Sequence, residues 1–131
     1  TGLGFTRQLT ETNDKQSLAV TAVQLAETLD AKGIIVITRR GLMADYVTNC
    51  HPQKTRIFAF TNDSQTRRRL ILNRNLTPYR TAFSSDPEKT LQTSFDVLKE
   101  RAGLQSNDKV VVISDVLAGT GIEAIQIRHL P

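Results

Sequence analysis

With 131 residues, the chain is long enough for one ordinary domain whose core needs no disulfide or metal. Apolar residues make up 39% of it and charged residues 23%, which favours a globular protein, and no apolar run reaches the length of a membrane span. We therefore expect no membrane partner. The net charge of +4 mildly favours anionic partners such as phosphorylated metabolites, nucleic acid or an acidic protein surface. It fits an ordinary protein surface without such a partner about equally well.

The cysteine content bears on the cellular compartment, and the first residues bear on whether the chain is a piece of a larger protein. A single cysteine, Cys50, excludes an intrachain disulfide and favours a reducing compartment such as the cytoplasm. The N-terminus has no signal-peptide pattern and begins with Thr1, so we expect a fragment or processed product of a larger protein. Residues 1–14, which are polar and contain two glycines, predict a linker or lead-in to a domain over 15–131.

From residue 15 onward, helical and strand patterns alternate. A helix is predicted where apolar residues recur every three or four positions, and a strand buried on both faces where they run without interruption. In chain order the predicted elements are a helix over 18–29, a strand over 34–37, a helix over 43–50, a strand over 57–60, a short helix after 61–63, a weak strand over 76–82, a helix over 85–102 that ends before Gly103, and strands over 110–113 and 124–128.

The connections between these elements determine the fold class. Strands separated by helices pair in parallel, but the short turn over 119–121 between the last two strands leaves no room for a helical crossover. The last strand should therefore run antiparallel to its neighbour. The sequence predicts a three-layer α/β/α domain with a five-stranded, mostly parallel sheet and an antiparallel last strand.

The turn between the first strand and the second helix is the first candidate site. Open α/β sheets bind ligands beyond the carboxyl ends of their strands, and a helix N-terminus favours anions. The turn also contains a threonine hydroxyl and two guanidinium groups, which can donate hydrogen bonds to phosphate, and a glycine, which lets the backbone approach a ligand closely. The alternative is a simple turn with two solvated arginines. The predicted phosphate-binding residues are Thr38, Arg39, Arg40, Gly41, Leu42 and Met43.

A second candidate is the loop that follows the strand ending at Ile113. It also lies at the carboxyl end of a parallel strand, and its small residues would let it close over a ligand at the first site. A plain hairpin connection is the alternative. The residues of this predicted closing loop are Ser114, Asp115, Gly119, Thr120 and Gly121.

Three consecutive arginines, Arg67 to Arg69, are a third candidate for anion binding. Successive helical positions spread over most of a turn, so the three side chains cannot all face one ligand. Aromatic residues are only 5% of the chain, which disfavours single-strand nucleic-acid binding. A solvated or subunit-facing helix surface is therefore the favoured interpretation.

No catalytic arrangement is found in the sequence. Cys50 with His51 beside it leaves open a small α/β enzyme with a cysteine nucleophile, but Cys50 lies on an apolar stripe and a core role is favoured. His129 has no evident carboxylate partner. Two histidines and one cysteine are too few for a zinc site, and no paired carboxylates or phosphate-binding glycine motif appear. We expect no catalytic and no metal-binding residues in this chain.

An ordered series of segments resembles the C-terminal domain of pyruvate kinase over residues 15–131. The strand and turn over 34–44 are similar to a family strand that ends in a Thr-x-Ser-Gly-like turn, and His51-Pro52 stands where the family usually has Arg-Pro. The resemblance continues through the apolar strand over 57–62, the strand over 108–113 and the closing hairpin over 119–131, and it is greatest toward plastid-like or bacterial members.

The resemblance implies a regulatory domain of an enzyme that transfers a phosphoryl group from phosphoenolpyruvate to ADP with magnesium and potassium. Catalysis in that family belongs to a barrel and a lid domain, which this sequence lacks. The C-terminal domain binds a sugar phosphate or another phosphorylated effector and contributes to a homo-oligomer. The resemblance places the effector phosphate at Thr38 to Met43, with the loop over 114–121 closing over it. The implied location is the cytoplasm, with a plastid as the alternative.

The sequence departs from the family pattern in both effector segments. Arg40 and Met43 replace two hydroxyl residues of the turn, and Val116-Leu117 replaces an aromatic-plus-arginine element of the loop. The hairpin is also about one residue shorter. A monophosphate, a different effector or no effector therefore stay open beside fructose 1,6-bisphosphate. A stand-alone α/β module for a phosphorylated metabolite is the second interpretation.

Overall fold

A computed structural model describes the backbone of residues 2–114 and 124–131, with side chains described from residue 14 onward. Helices and strands alternate along the chain as the sequence predicts. The elements are α1 (Gly2–Thr28), β1 (Gly33–Ile37), α2 (Leu42–Asn49), β2 (Ile57–Thr61), α3 (Ser64–Ile71), β3 (Thr77–Arg80), α4 (Pro87–Arg101), β4 (Lys109–Ser114) and β5 (Ala124–His129).

The five described strands form one sheet in the order β3-β2-β1-β4-β5. β1 lies at the centre and pairs in parallel with β2 and β4, so that Ile35 stands between Phe58 and Val112. β3 extends the parallel part, and β5 pairs antiparallel to β4. The predicted parallel sheet with an antiparallel last strand is thereby confirmed.

Two apolar clusters, one on each face of the sheet, make up the described core. Ile34 and Val36 of β1 face α1 and α2, whereas the alternate residues Ile35 and Ile37 face α4. Because side chains alternate across a strand, an uninterrupted apolar run supplies both faces at once. The three-layer arrangement predicted from these runs is therefore confirmed.

Helix ends follow local sequence signals. The Asp63 carboxylate accepts hydrogen bonds from the Thr66 backbone N–H at 3.2 Å and the Thr66 hydroxyl at 2.8 Å, and thus caps α3. Asp86 caps α4 in the same way, with Pro87 as the first helical residue. Gly103, at φ +77°, follows the last turn of α4, as expected of a glycine stop.

The N-terminal segment differs from its expected form. The backbone of residues 2–14, expected as a linker or lead-in, belongs to α1, which runs unbroken to Thr28. The helix can run through this segment because no proline lies before residue 52 to interrupt it. The two glycines weaken a helix but do not by themselves end it. The domain boundary at residue 15 stays a prediction. None of the helices in the described part of the chain is both long and apolar enough to cross a membrane.

Candidate functional site

The turn that follows β1 is fixed from within by buried hydrogen bonds. The Thr38 backbone N–H donates to the carbonyl of Phe60 at 2.9 Å, and the Thr38 Oγ1 accepts from the N–H of Gly41 at 3.0 Å. The hydroxyl of Thr61 donates to the carbonyl of Arg39 at 2.9 Å. Thr38 is buried, so its side chain shapes the turn. Its predicted role as a ligand donor stays a prediction.

Gly41 is required by the turn for two reasons. Its φ of +90° lies in the left-handed region, which residues with a Cβ adopt at a cost. In addition, the guanidinium of Arg69 lies against its Cα, in the space that a Cβ would fill. The group that approaches Gly41 closely is thus a side chain of this domain.

Arg69 fastens α3 to the turn. Its Nη2 donates to the carbonyl of Arg40 at 2.8 Å, and its Nη1 donates to both carboxylate oxygens of Asp45, each at 3.2 Å. The sequence favours a solvated or subunit-facing position for this arginine, whereas in the structure its side chain binds other residues of the same domain. No local signal marks the pairing, because Arg69 lies 24 positions from Asp45 in the sequence.

The N-terminus of α2 is open toward the carboxyl edge of the sheet. Gly41 at the cap position has no side chain to accept a bond, and the backbone N–H groups of Leu42, Met43 and Ala44 have no acceptor among the described residues. Such amides carry the positive end of the helix dipole. The Met43 side chain is buried in the core, so only its backbone can face a ligand. Leu42 is exposed.

Two exposed arginines flank this helix end. Arg39 and Arg40 make no ion pair or side-chain hydrogen bond within the described part of the chain. The pKa of Asp63 is lowered chiefly by hydrogen bonds from Thr66 and, to a smaller extent, by the charge of Arg40 nearby. The two guanidinium groups and the free amides together provide a positive surface beyond β1.

The predicted closing loop begins beside this turn. Ser114, the last residue of β4, is buried and stands in register with Ile37, the last residue of β1. The remaining residues predicted for the loop lie outside the described residues, so the closing role stays a prediction. They are Asp115, Gly119, Thr120 and Gly121.

A cavity of about 280 Å³ lies next to Ser114, between α4 and the last two strands. The cation that borders it, Arg128, donates to the Glu88 carboxylate at 2.7 Å and lies over the Phe95 ring. The pKa of Glu88 is lowered, mainly by this hydrogen bond. Because a carboxylate already neutralises Arg128, this cavity suits an anion less well than the turn does.

The cysteine and histidines do not form a catalytic group. Burial raises the pKa of the Cys50 thiol, and its Sγ donates to the carbonyl of Tyr46 at 3.3 Å. A raised pKa lowers the thiolate fraction, which argues against a nucleophile. His129 is exposed on β5 opposite Lys109. Among the described residues, no three His, Cys, Asp or Glu side chains are placed to hold a metal ion.

Comparison with known proteins gives a consistent result. The family model for "Pyruvate kinase, alpha/beta domain" matches residues 16–127. Chloroplastic pyruvate kinase isozyme A from Nicotiana tabacum is 34% identical over 116 residues, which are 88% of this chain and 18% of that protein. The corresponding isozyme from Ricinus communis is also 34% identical over 116 residues, 88% of this chain and 19% of that protein. The chain thus spans about a fifth of these relatives.

The fold has a close counterpart among solved structures. Cryptosporidium parvum pyruvate kinase in complex with ADP superposes with a TM-score of 0.79 at 23% identity, over 89% of this chain and 24% of that one. This structural likeness establishes the fold. The family model and the plant relatives establish which family the chain belongs to. The chain belongs to the pyruvate kinase family, as its C-terminal α/β domain.

Proposed function

We propose that this chain is the regulatory domain of a pyruvate kinase and binds a phosphorylated small molecule at the turn from Thr38 to Met43. On this proposal the whole enzyme transfers a phosphoryl group from phosphoenolpyruvate to ADP. This domain contributes effector binding and subunit contacts but no catalytic group. The chain's span of about a fifth of its relatives leaves ample length for catalytic domains elsewhere.

The observation that carries the proposal is the positive surface beyond β1. Three backbone amides at the start of α2 lack acceptors among the described residues, and the exposed guanidinium groups of Arg39 and Arg40 adjoin them. A phosphate monoester has several acceptor oxygens and up to two negative charges, so it matches amides and guanidinium forks together. The hydrogen bonds of Thr38 and Arg69 hold the turn in this shape before any ligand arrives.

Metal ions belong to another part of the proposed enzyme. The described residues contain no group of three acidic, histidine or cysteine side chains that fits an ion. The resemblance to the family assigns the expected magnesium and potassium to its catalytic domains. The named plant relatives are chloroplastic, which favours a plastid for the parent enzyme over the cytoplasm expected from the cysteine content.

Calorimetric titration of sugar monophosphates and bisphosphates into the wild-type protein and Arg40→Ala tests the site. Losing one charge-assisted contact should weaken binding by about 1.5–3 kcal/mol. Arg74→Ala is the matched control, because Arg74 is equally exposed but lies in the loop before β3. Coincident isotherms for wild type and Arg40→Ala would refute a role for Arg40, and comparing mono- with bisphosphates shows which class the turn prefers.

The absence of catalysis is tested separately. The purified protein is mixed with phosphoenolpyruvate, ADP, magnesium and potassium, and pyruvate is measured with a coupled dehydrogenase. We expect no pyruvate above the uncatalysed background. Turnover that survives repurification would show that the chain is catalytic by itself and would overturn its assignment as a regulatory domain.

A further inference from the structure

A second basic region lies at the edge of the sheet that β3 forms. A cavity of about 390 Å³ opens beyond the carboxyl end of β3, between the start of α3 and the last turns of α4. Half of its wall residues are arginines and none is acidic. The wall consists of Ser64, Arg67, Arg68, Tyr79, Arg80, Thr81, Val97 and Arg101.

The four arginines of this cavity come from three different elements. Arg67 and Arg68 lie on α3, Arg80 ends β3, and Arg101 ends α4. None of their side chains has a hydrogen bond or ion pair with any residue that the structure describes, whereas those of Arg69 and Arg128 are both paired with carboxylates. Four like charges around one small volume repel each other, and a bound anion would relieve that repulsion.

Thr81 provides an independent observation at the same place. Its backbone N–H donates to the carbonyl of Thr61 at 2.9 Å, but its Oγ1 is buried and has no hydrogen-bond partner among the residues that the structure describes. Buried hydroxyl groups are rarely left without a partner. A rotation of the Thr81 side chain toward the cavity would expose this hydroxyl and let it donate to a polar ligand. The Ser64 hydroxyl at the first turn of α3 offers a further donor on the facing wall.

The remaining wall is firm and partly apolar. The Tyr79 ring stacks on Phe60, with centroids 5.2 Å apart, and Val97 continues this surface along α4. The Tyr79 side of the wall is therefore anchored in the core. This shape is suited to a compact ligand with several charges.

We propose that this cavity, which we call the β3-edge site, binds a small molecule carrying at least two phosphoryl groups. Four guanidinium forks can contact two phosphates in bidentate fashion, and the Thr81 hydroxyl can donate to a phosphate oxygen. The site is separate from the turn after β1. Arg69, on the same helix as Arg67 and Arg68, is turned away from it and toward Gly41.

Calorimetric titration with inorganic pyrophosphate, with orthophosphate as the comparison, tests the β3-edge site. We expect pyrophosphate to bind more tightly than orthophosphate, and Arg68→Ala and Arg101→Ala each to weaken it about tenfold or more, as loss of a charge-assisted contact implies. Thr81→Val removes only the orphan hydroxyl and should also weaken binding. Arg74→Ala, outside the cavity, is the matched control for net charge and should bind as wild type does.

The possible outcomes separate the two sites. Failure of pyrophosphate to bind, or an equal loss in Arg74→Ala and Arg68→Ala, would overturn the β3-edge site. A loss in Arg40→Ala with none in Arg68→Ala and Arg101→Ala would also overturn it, and would place the anion at the turn after β1. Circular dichroism melts check that each variant is folded. Arg68→Lys, which keeps the charge but loses the fork, should bind with an affinity between those of wild type and Arg68→Ala.

Discussion

Replacing Gly41 by alanine should destabilise the domain through two separable effects. At φ +90°, a residue with a Cβ costs about 1–2 kcal/mol. The new Cβ would also displace the Arg69 guanidinium, which contacts the carbonyl of Arg40 and the carboxylate of Asp45. These contacts involve a half-exposed side chain, so we assign them about 1 kcal/mol. The expected total is roughly 2–3 kcal/mol.

Urea unfolding followed by circular dichroism measures this loss. For a domain of this size, 2–3 kcal/mol corresponds to a midpoint lowered by about 1 M. Arg69→Ala alone should cost about 1 kcal/mol, because it removes the contacts but not the backbone preference. In the double variant the contacts are lost only once. The two single effects should therefore exceed the double effect by about 1 kcal/mol in a double-mutant cycle.

Two results would contradict this account. If Gly41→Ala unfolded within about 0.5 kcal/mol of wild type, the left-handed conformation would not be enforced in the folded protein. If the cycle were additive, Arg69 would not lie against Gly41. Gly103→Ala is a useful comparison, because Gly103 also has a positive φ but no atom lies within 4 Å of a Cβ placed there. It should show only the backbone cost.

Three further predictions concern single side chains. Thr81→Val should leave unfolding unchanged or stabilise the domain by up to about 1 kcal/mol, whereas Thr90→Val, whose hydroxyl accepts a part-buried hydrogen bond from the backbone N–H of Ser84, should cost about 0.5–1.5 kcal/mol in urea unfolding. The stability gained from Asp63 over Asp63→Ala should be complete above about pH 4 and shrink as the pH falls, because a lowered pKa means that stability is lost on protonation. Cys50 should react with a thiol reagent more slowly than free cysteine at neutral pH, since burial raises its pKa; a faster reaction would restore the nucleophile hypothesis.

Most of the fold could be predicted because its signals are local. The run over 110–113 is apolar at every position, and a strand covered on both faces needs that pattern. The orientation of β5 followed from the length of one connection. The weak strand was expected over 76–82 and is observed as Thr77–Arg80, since an edge strand buries too little surface to mark its ends. The length of α1 was missed because its polar first half lacks a one-sided apolar stripe.

The candidate site was predictable in position but not in detail. A glycine after a strand and before a helix indicated the turn, and Gly41 indeed caps α2 in the left-handed region. That Thr38 would be buried and bonded to Gly41 could not be read from the sequence, because a hydroxyl serves a ligand or the backbone equally well. The contact between Arg69 and Gly41 depends on how α3 packs, which only the folded domain defines.

The arginine run shows how one short helix serves two different surfaces. Consecutive residues of an α-helix are rotated by about 100° from each other, so the three side chains cannot share one ligand. Arg69 points toward the turn after β1, and Arg67 and Arg68 border the β3-edge site. The other two positive charges of the β3-edge site come from Arg80 on β3 and Arg101 on α4. Because α3 borders both surfaces, a ligand that draws on Arg68 would also act on the helix that holds the turn. Titrating sugar phosphates in the presence and absence of pyrophosphate measures this coupling, and identical affinities would show that the two sites are independent.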